Sequence, residues 1–156
     1  LNAADENFQD VPPGKHAERN LEKIEFLKKL ESTYNSDRWK MISLGCLGCG
    51  ACAFVCPTCT CYDIQDEGST EEGQRLKCQD SCGFGLFTKH ASGHNPKPSQ
   101  VERRRHRIMH KFVYTQETLG TISCVGCGRC IAACPSHMNL YNDALQVLAT
   151  IQDKKI

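Results

Sequence analysis

Eight of the twelve cysteines in this chain fall into two runs of one spacing. Cys46, Cys49, Cys52 and Cys56 form the first, followed by Pro57; Cys124, Cys127, Cys130 and Cys134 form the second, followed by Pro135. Thiolates are soft ligands that suit iron–sulfur clusters and zinc. A cubane needs four thiolates on four irons at the corners of a small cube. In each run three cysteines sit three apart, as on a tight loop wrapping one cluster. The fourth lies beyond a short helical turn and points away, and the proline after it ends that turn. Gly45, Gly48 and Gly50 punctuate the first run and Gly126 and Gly128 the second. Glycine lets backbone approach a cofactor closely and frees N–H groups to donate to sulfur.

This C-x2-C-x2-C-x3-C-P pattern is the signature of bacterial two-cluster ferredoxins, whose fourth cysteine ligates the other cluster. With that crossing, cluster 1 takes Cys46, Cys49, Cys52 and Cys134, and cluster 2 takes Cys124, Cys127, Cys130 and Cys56. The expected fold is α+β, a bacterial two-[4Fe–4S] ferredoxin core whose assembly is coupled to folding. Structural zinc would want two C-x2-C pairs closing one tetrahedron. A disulfide framework would have no reason to repeat this spacing.

The other four cysteines, Cys59, Cys61, Cys78 and Cys82, all lie between the two runs. A long insertion with four further thiols points to a third [4Fe–4S] cluster. Cys78 and Cys82 have the spacing of one helix face, and Cys59 and Cys61 that of an extended strand or turn. The alternative is buried, reduced thiols acting as small hydrophobes. His90 and His94 are near enough in the chain to replace a thiolate, but read by default as solvated or capping residues.

Around these ligands the chain divides into an N-terminal segment with a docking helix (1–38), a ferredoxin-like domain (39–140, with its insertion at 57–123) and a C-terminal helix (141–156). Pro12, Pro13 and Gly14 end a polar lead. A helix over 17–31 carries Leu21, Ile24, Leu27 and Leu30 on one face, for packing on the cluster domain or for docking a partner. Residues 66–73 read as an exposed loop. A basic helical stretch, Glu102 to Lys111, holds Arg103, Arg104, Arg105, Arg107 and Lys111. It is either a solvated face or a set of cations placed for an acidic partner or the anionic clusters. A last helix over 139–152 is capped by Asn139. Trp39 closes the core near cluster 1 or serves an interface.

At 156 residues, with 40% hydrophobic residues, one domain is expected. A net charge of +1 argues against generic nucleic-acid binding. No apolar run approaches the roughly 20 residues of a membrane span, and Leu1 to Pro13 lacks the regions of a signal peptide. The expectation is a soluble, cytoplasmic protein of an anaerobic host. No Walker loop or G-x-G-x-x-G is present, and no nucleophile has a base arranged with it, so no catalytic residue is assigned.

Further segments carry a family resemblance. They are Gly48 to Cys52, Cys56 to Ile64, Asp80 to Cys82, Gly93 to Pro98, His110 to Phe112 and Cys124 to Cys130. Over about residues 39–140 the chain resembles the 4Fe-4S dicluster, ferredoxin-like electron-transfer subunits. These include the iron–sulfur subunits of sulfhydrogenases and anaerobic sulfite reductase, and the small subunit of tungsten-dependent class II benzoyl-CoA reductases. Sulfhydrogenase and sulfite reductase relatives carry a sizeable domain before this part, so the short stretch before Cys46 points to the compact benzoyl-CoA reductase type. In the family pattern Cys78 is less regular than Cys59, Cys61 and Cys82.

The resemblance implies a relay with three [4Fe–4S] clusters. Its expected partners are a catalytic oxidoreductase subunit, foremost a tungsten-containing one, and further electron-transfer subunits. Alternatives are the hydrogenase or sulfite reductase branch, a free ferredoxin carrier, and an interaction module whose clusters serve only the fold.

Overall fold

The computed structural model describes residues 23–152. The expected lead segment, the first part of the 17–31 helix with Leu21, and residues 153–156 lie outside the described residues. The chain runs through helices α1 (Lys23–Ser32), α2 (Arg38–Ser43) and α3 (Ala51–Phe54), then a hairpin of β1 (Tyr62–Gly68) and β2 (Gly73–Gln79). Helix α4 (Gln100–Met109) continues through a π turn at His110–Tyr114 into α5 (Thr115–Leu119). Helices α6 (Arg129–Ala132) and α7 (Leu140–Gln152) complete the order. Among the described residues, helices with one two-stranded sheet give an α+β architecture.

The core lies where α1, α2, α7 and the α4–π segment meet. Leu30, Trp39, Ile108, Met109, Phe112, Val113, Ala144 and Val147 are buried there. Burying an aliphatic or aromatic side chain of this size stabilises by about 1.5–3 kcal/mol. Phe26 meets Phe112 edge-on at 6.1 Å. The Trp39 indole N–H donates to the Thr33 carbonyl at 2.8 Å, so burying its ring leaves no orphan donor. Trp39 therefore takes the core role. Leu30, from the apolar stripe of the N-terminal helix, also packs inward.

Two devices fix the long helical segment. Ser99 and Glu102 form a reciprocal capping box at the start of α4, just after Pro96 and Pro98. Gly120, at φ +71°, closes α5 with its N–H on the Gln116 carbonyl. At the start of α7, Asn139 Oδ1 accepts from the N–H groups of Tyr141 and Asn142, the cap that the sequence predicts.

The hairpin corrects one expectation. Its antiparallel register runs from Tyr62↔Gln79 to Gly68↔Gly73, so Cys78 sits in a strand opposite Asp63. Asp80 N–H extends the ladder by donating to the Cys61 carbonyl, and the chain then turns at Ser81, whose Oγ accepts from Gly83 N–H. Cys78 and Cys82 thus share no helix face. Ladder hydrogen bonds to a partner strand outcompete the local helix that an i, i+4 spacing suggests. The loop expected at 66–73 narrows to the turn between the strands, held by Ser69 and Glu72.

Candidate metal centre

Both cysteine runs fold alike. Gly50 and Gly128, at φ +75° and +79°, open the short helices α3 and α6. The same hydrogen bonds recur in each: Ala53 and Phe54 N–H on Gly50 C=O, Ile131 and Ala132 N–H on Gly128 C=O. Cys56 N–H returns to Ala53 C=O, and Cys134 N–H to Ile131 C=O. A Cβ on Gly50 would fall 2.3 Å from the Phe84 ring, so both φ and space demand glycine there. The repeat extends to Cys59 and His137, whose N–H groups bond Cys56 C=O and Cys134 C=O respectively. Cys59 therefore stands where the second run has a histidine, which marks it as an addition to the two-run plan.

One cavity is lined by Cys46, Cys49 and Cys52 together with Cys134. A second is lined by Cys124, Cys127 and Cys130 together with Cys56. Each cavity draws three sulfurs from one run and the fourth from the other. Among the described residues no three His, Cys, Asp or Glu side chains converge on a single ion. In each cavity four sulfurs surround a volume, the arrangement a cubane needs.

Polar groups are aimed at this sulfur. Gln100 Nε2 donates to Cys46 Sγ at 3.0 Å, and Met138 N–H to Cys134 Sγ at 3.3 Å. Arg103 donates twice to Gln100 Oε1, at 3.1 and 3.0 Å, which turns the amide N–H2 toward the cysteine. Lys111, 3% exposed, donates to both oxygens of Thr58, and Thr58 Oγ1 lies 3.4 Å from Cys56 Sγ.

Arg107 lines both cavities and is 4% exposed. Its Nη1 donates to Cys59 Sγ at 3.3 Å and its Nη2 to the Cys52 carbonyl at 2.7 Å. Its Nε is buried without a partner, and buried donors are ordinarily satisfied. An orphan N–H between two sulfur-lined cavities fits a bulky anion bound beside it. Burial works against the guanidinium charge, but Cys52, Cys59 and Cys82 outweigh it and hold its pKa above the usual value.

Of the other four cysteines, Cys61, Cys78 and Cys82 lie at the hairpin base, while Cys59 lies against Cys56 at the end of the first run. Cys61 directly precedes β1, and strand alternation puts it on the same ribbon face as Cys78. Cys82 is 8% exposed. Burial pushes its thiol pKa up, Arg107 opposes that, and Cys61 is close enough to add to it. Burial also raises Cys130, again opposed by Arg107. His90 and His94 meet edge-on at 5.4 Å and are exposed, in keeping with their default reading.

The basic stretch resolves into two faces. Arg104, Arg107 and Lys111 are buried, at helical spacing on one side. Gln100, one turn before Arg104, continues that side toward Cys46. The sequence leaves the run open between a solvated face and a charged one, and by charge alone nothing in it singles out Gln100, Arg107 or Thr58. The periodic signal was the 100–104–107–111 pattern of polar residues, which a charge count does not register.

A family described as 4Fe-4S dicluster domain matches residues 45–138. Sulfhydrogenase 2 subunit beta of Pyrococcus furiosus is 37% identical over 135 residues, covering 85% of this chain. The chain spans 40% of that relative's length. No solved structure matches the chain.

Proposed function

The chain belongs to the 4Fe-4S dicluster domain family, and on that premise we propose that it relays electrons as an iron–sulfur subunit of a larger oxidoreductase. The observation that carries the reading is the crossed composition of the two cavities, each built from both runs. Cys46, Cys49, Cys52 and Cys134 hold one [4Fe–4S] cluster, and Cys124, Cys127, Cys130 and Cys56 the other. When bound, each cluster accepts and releases one electron at a time. The chain's own residues hold the thiolates, donate hydrogen bonds to sulfur through Gln100 and Met138, and supply buried positive charge through Arg107 and Lys111.

Cys59, Cys61, Cys78 and Cys82 hold a third cluster in this reading. Its support is the placement of Cys61, Cys78 and Cys82 at the hairpin base, with Arg107 beside both Cys59 and Cys82.

The partner is a catalytic subunit. The sulfhydrogenase relative favours a hydrogenase-type partner, with further electron-transfer subunits completing the path. The tungsten-dependent benzoyl-CoA reductase expected from the sequence draws no support from that relative. Leu44, Leu47 and Phe54 around the first run are over 70% exposed, and an apolar border of this kind suits a subunit interface. No helix among the described residues is long and apolar enough to cross a membrane.

Anaerobic purification from the native organism tests this. The expected result is about 12 irons per chain, from three clusters of four, with a nickel-containing catalytic subunit copurifying. Eight irons would remove the third cluster. Tungsten in the copurifying subunit would restore the benzoyl-CoA reductase branch, sirohaem would point to sulfite reductase, and isolation alone to a free carrier. Clusters silent across the accessible potential range would sink electron transfer.

A further inference from the structure

We propose that Arg107 is a positioning residue common to all the thiolate sets, one buried guanidinium that ties the anionic centres together and raises their reduction potentials jointly. The inference rests on the cluster reading above. Its geometry is specific to this arginine. Arg107 lines both cavities. It bonds the Cys52 carbonyl in the first run and Cys59 Sγ in the set between the runs.

A buried charge is costly unless compensated. Arg104, one turn earlier and equally buried, has the Asp143 carboxylate. The hydrogen bonds of Arg107 go instead to a sulfur and a carbonyl, and its Nε has no partner. Its compensation therefore comes from sulfur charge on several sides. Cys52, Cys59, Cys82 and Cys130 all interact with it electrostatically, and these belong to all three proposed sets. Each one-electron reduction, with dithionite as the electron donor, adds one negative charge to a centre and needs no proton or ligand exchange. A cation beside that charge favours the reduced form. Because Arg107 faces several centres, its removal acts on all of them, unlike the loss of a single N–H···S bond.

The test is an anaerobic redox titration followed by EPR, with iron and sulfide counts, on the full chain. It compares wild type, Arg107→Gln, Arg107→Lys and Arg105→Gln. Arg105 donates to the Tyr34 carbonyl and lies over the Tyr34 ring at 4.0 Å, so Arg105→Gln controls for overall charge. In Arg107→Gln, with iron content kept, at least two reduction steps are expected to move to lower potential. Arg107→Lys is expected to restore part of the shift, and Arg105→Gln to leave the steps in place. No shift beyond the Arg105→Gln control, or a shift confined to one centre, overturns the proposal. If Arg107→Gln fails to hold iron, Arg107→Lys decides: retained clusters support a need for the charge, and their loss in both variants makes Arg107 merely structural and overturns it. A wild-type chain without reducible centres would sink the electron-transfer reading and this inference together. A normal wild-type titration with unshifted Arg107→Gln sinks this inference alone.

Discussion

Gln100 Nε2 donates to Cys46 Sγ across 3.0 Å, joining the first turn of α4 to the first cysteine of the first run. The two residues lie far apart in the chain, and Arg103 fixes the amide so that its N–H2 rather than its oxygen meets sulfur. A hydrogen bond to a thiolate stabilises the more negative, reduced state of a cluster. Gln100→Leu should therefore lower the potential of one centre and leave the others in place. The same EPR-monitored titration reads this, and movement of every centre would contradict so local a role.

Arg104 and Asp143 pair across the interface of α4 and α7, with side chains 5% and 10% exposed. Removing one partner leaves a buried charge uncompensated, at a cost of about 3–5 kcal/mol. Arg104→Met should lower the urea midpoint accordingly. Arg104→Met with Asp143→Leu should recover most of the loss, since an apolar pair of similar volume is often neutral. A double variant no better than the single one would refute the pairing as the source.

Cys82, buried at the end of the hairpin, separates three centres from two. Cys82→Ala should lose one EPR-active centre and about a third of the iron, while the two centres with four cysteines each persist. An unchanged spectrum would return Cys82 to the role of a small buried hydrophobe. The complementary change Cys78→Ala should have the same effect, since Cys78 shares the ribbon face of Cys61.

His106 stacks against His110 and Tyr114 on the outer side of the core helix. Burial first, then Lys97 and His110, depress its imidazole pKa to about 4. The unfolded chain takes up a proton near the ordinary 6.5 that the folded chain refuses until about 4. Folding stability is thus full above 6.5 and falls as pH drops through that window. Wild type should lose more stability between about pH 7 and pH 5 than His106→Gln does. Parallel thermal-denaturation losses in the two proteins would show that His106 charges freely in the fold.

Much of the site was legible because ligand spacing is local chemistry. Two C-x2-C-x2-C-x3-C-P runs name the cofactor class without any tertiary information. Helical periodicity likewise marked the last helix with its Asn139 cap and the inward-facing Leu30. The hairpin was less legible: the i, i+4 spacing of Cys78 and Cys82 also occurs across a strand end and a turn. Only the pairing of Gly73–Gln79 with Tyr62–Gly68 distinguishes the two.

The sequence by itself determined the two cysteine runs, the glycines that let their loops close, and the iron–sulfur class of the domain, because these follow from residue identity at short spacing. Tertiary structure alone decided which cations face sulfur. Arg103, Arg104, Arg105, Arg107 and Lys111 read as one charge run. Folding turns Arg104 to Asp143, Lys111 to Thr58 and Arg107 to the cysteines. The physical reason is that a helix distributes adjacent side chains around its axis, while burial makes each charge depend on whatever distant segment packs against its face.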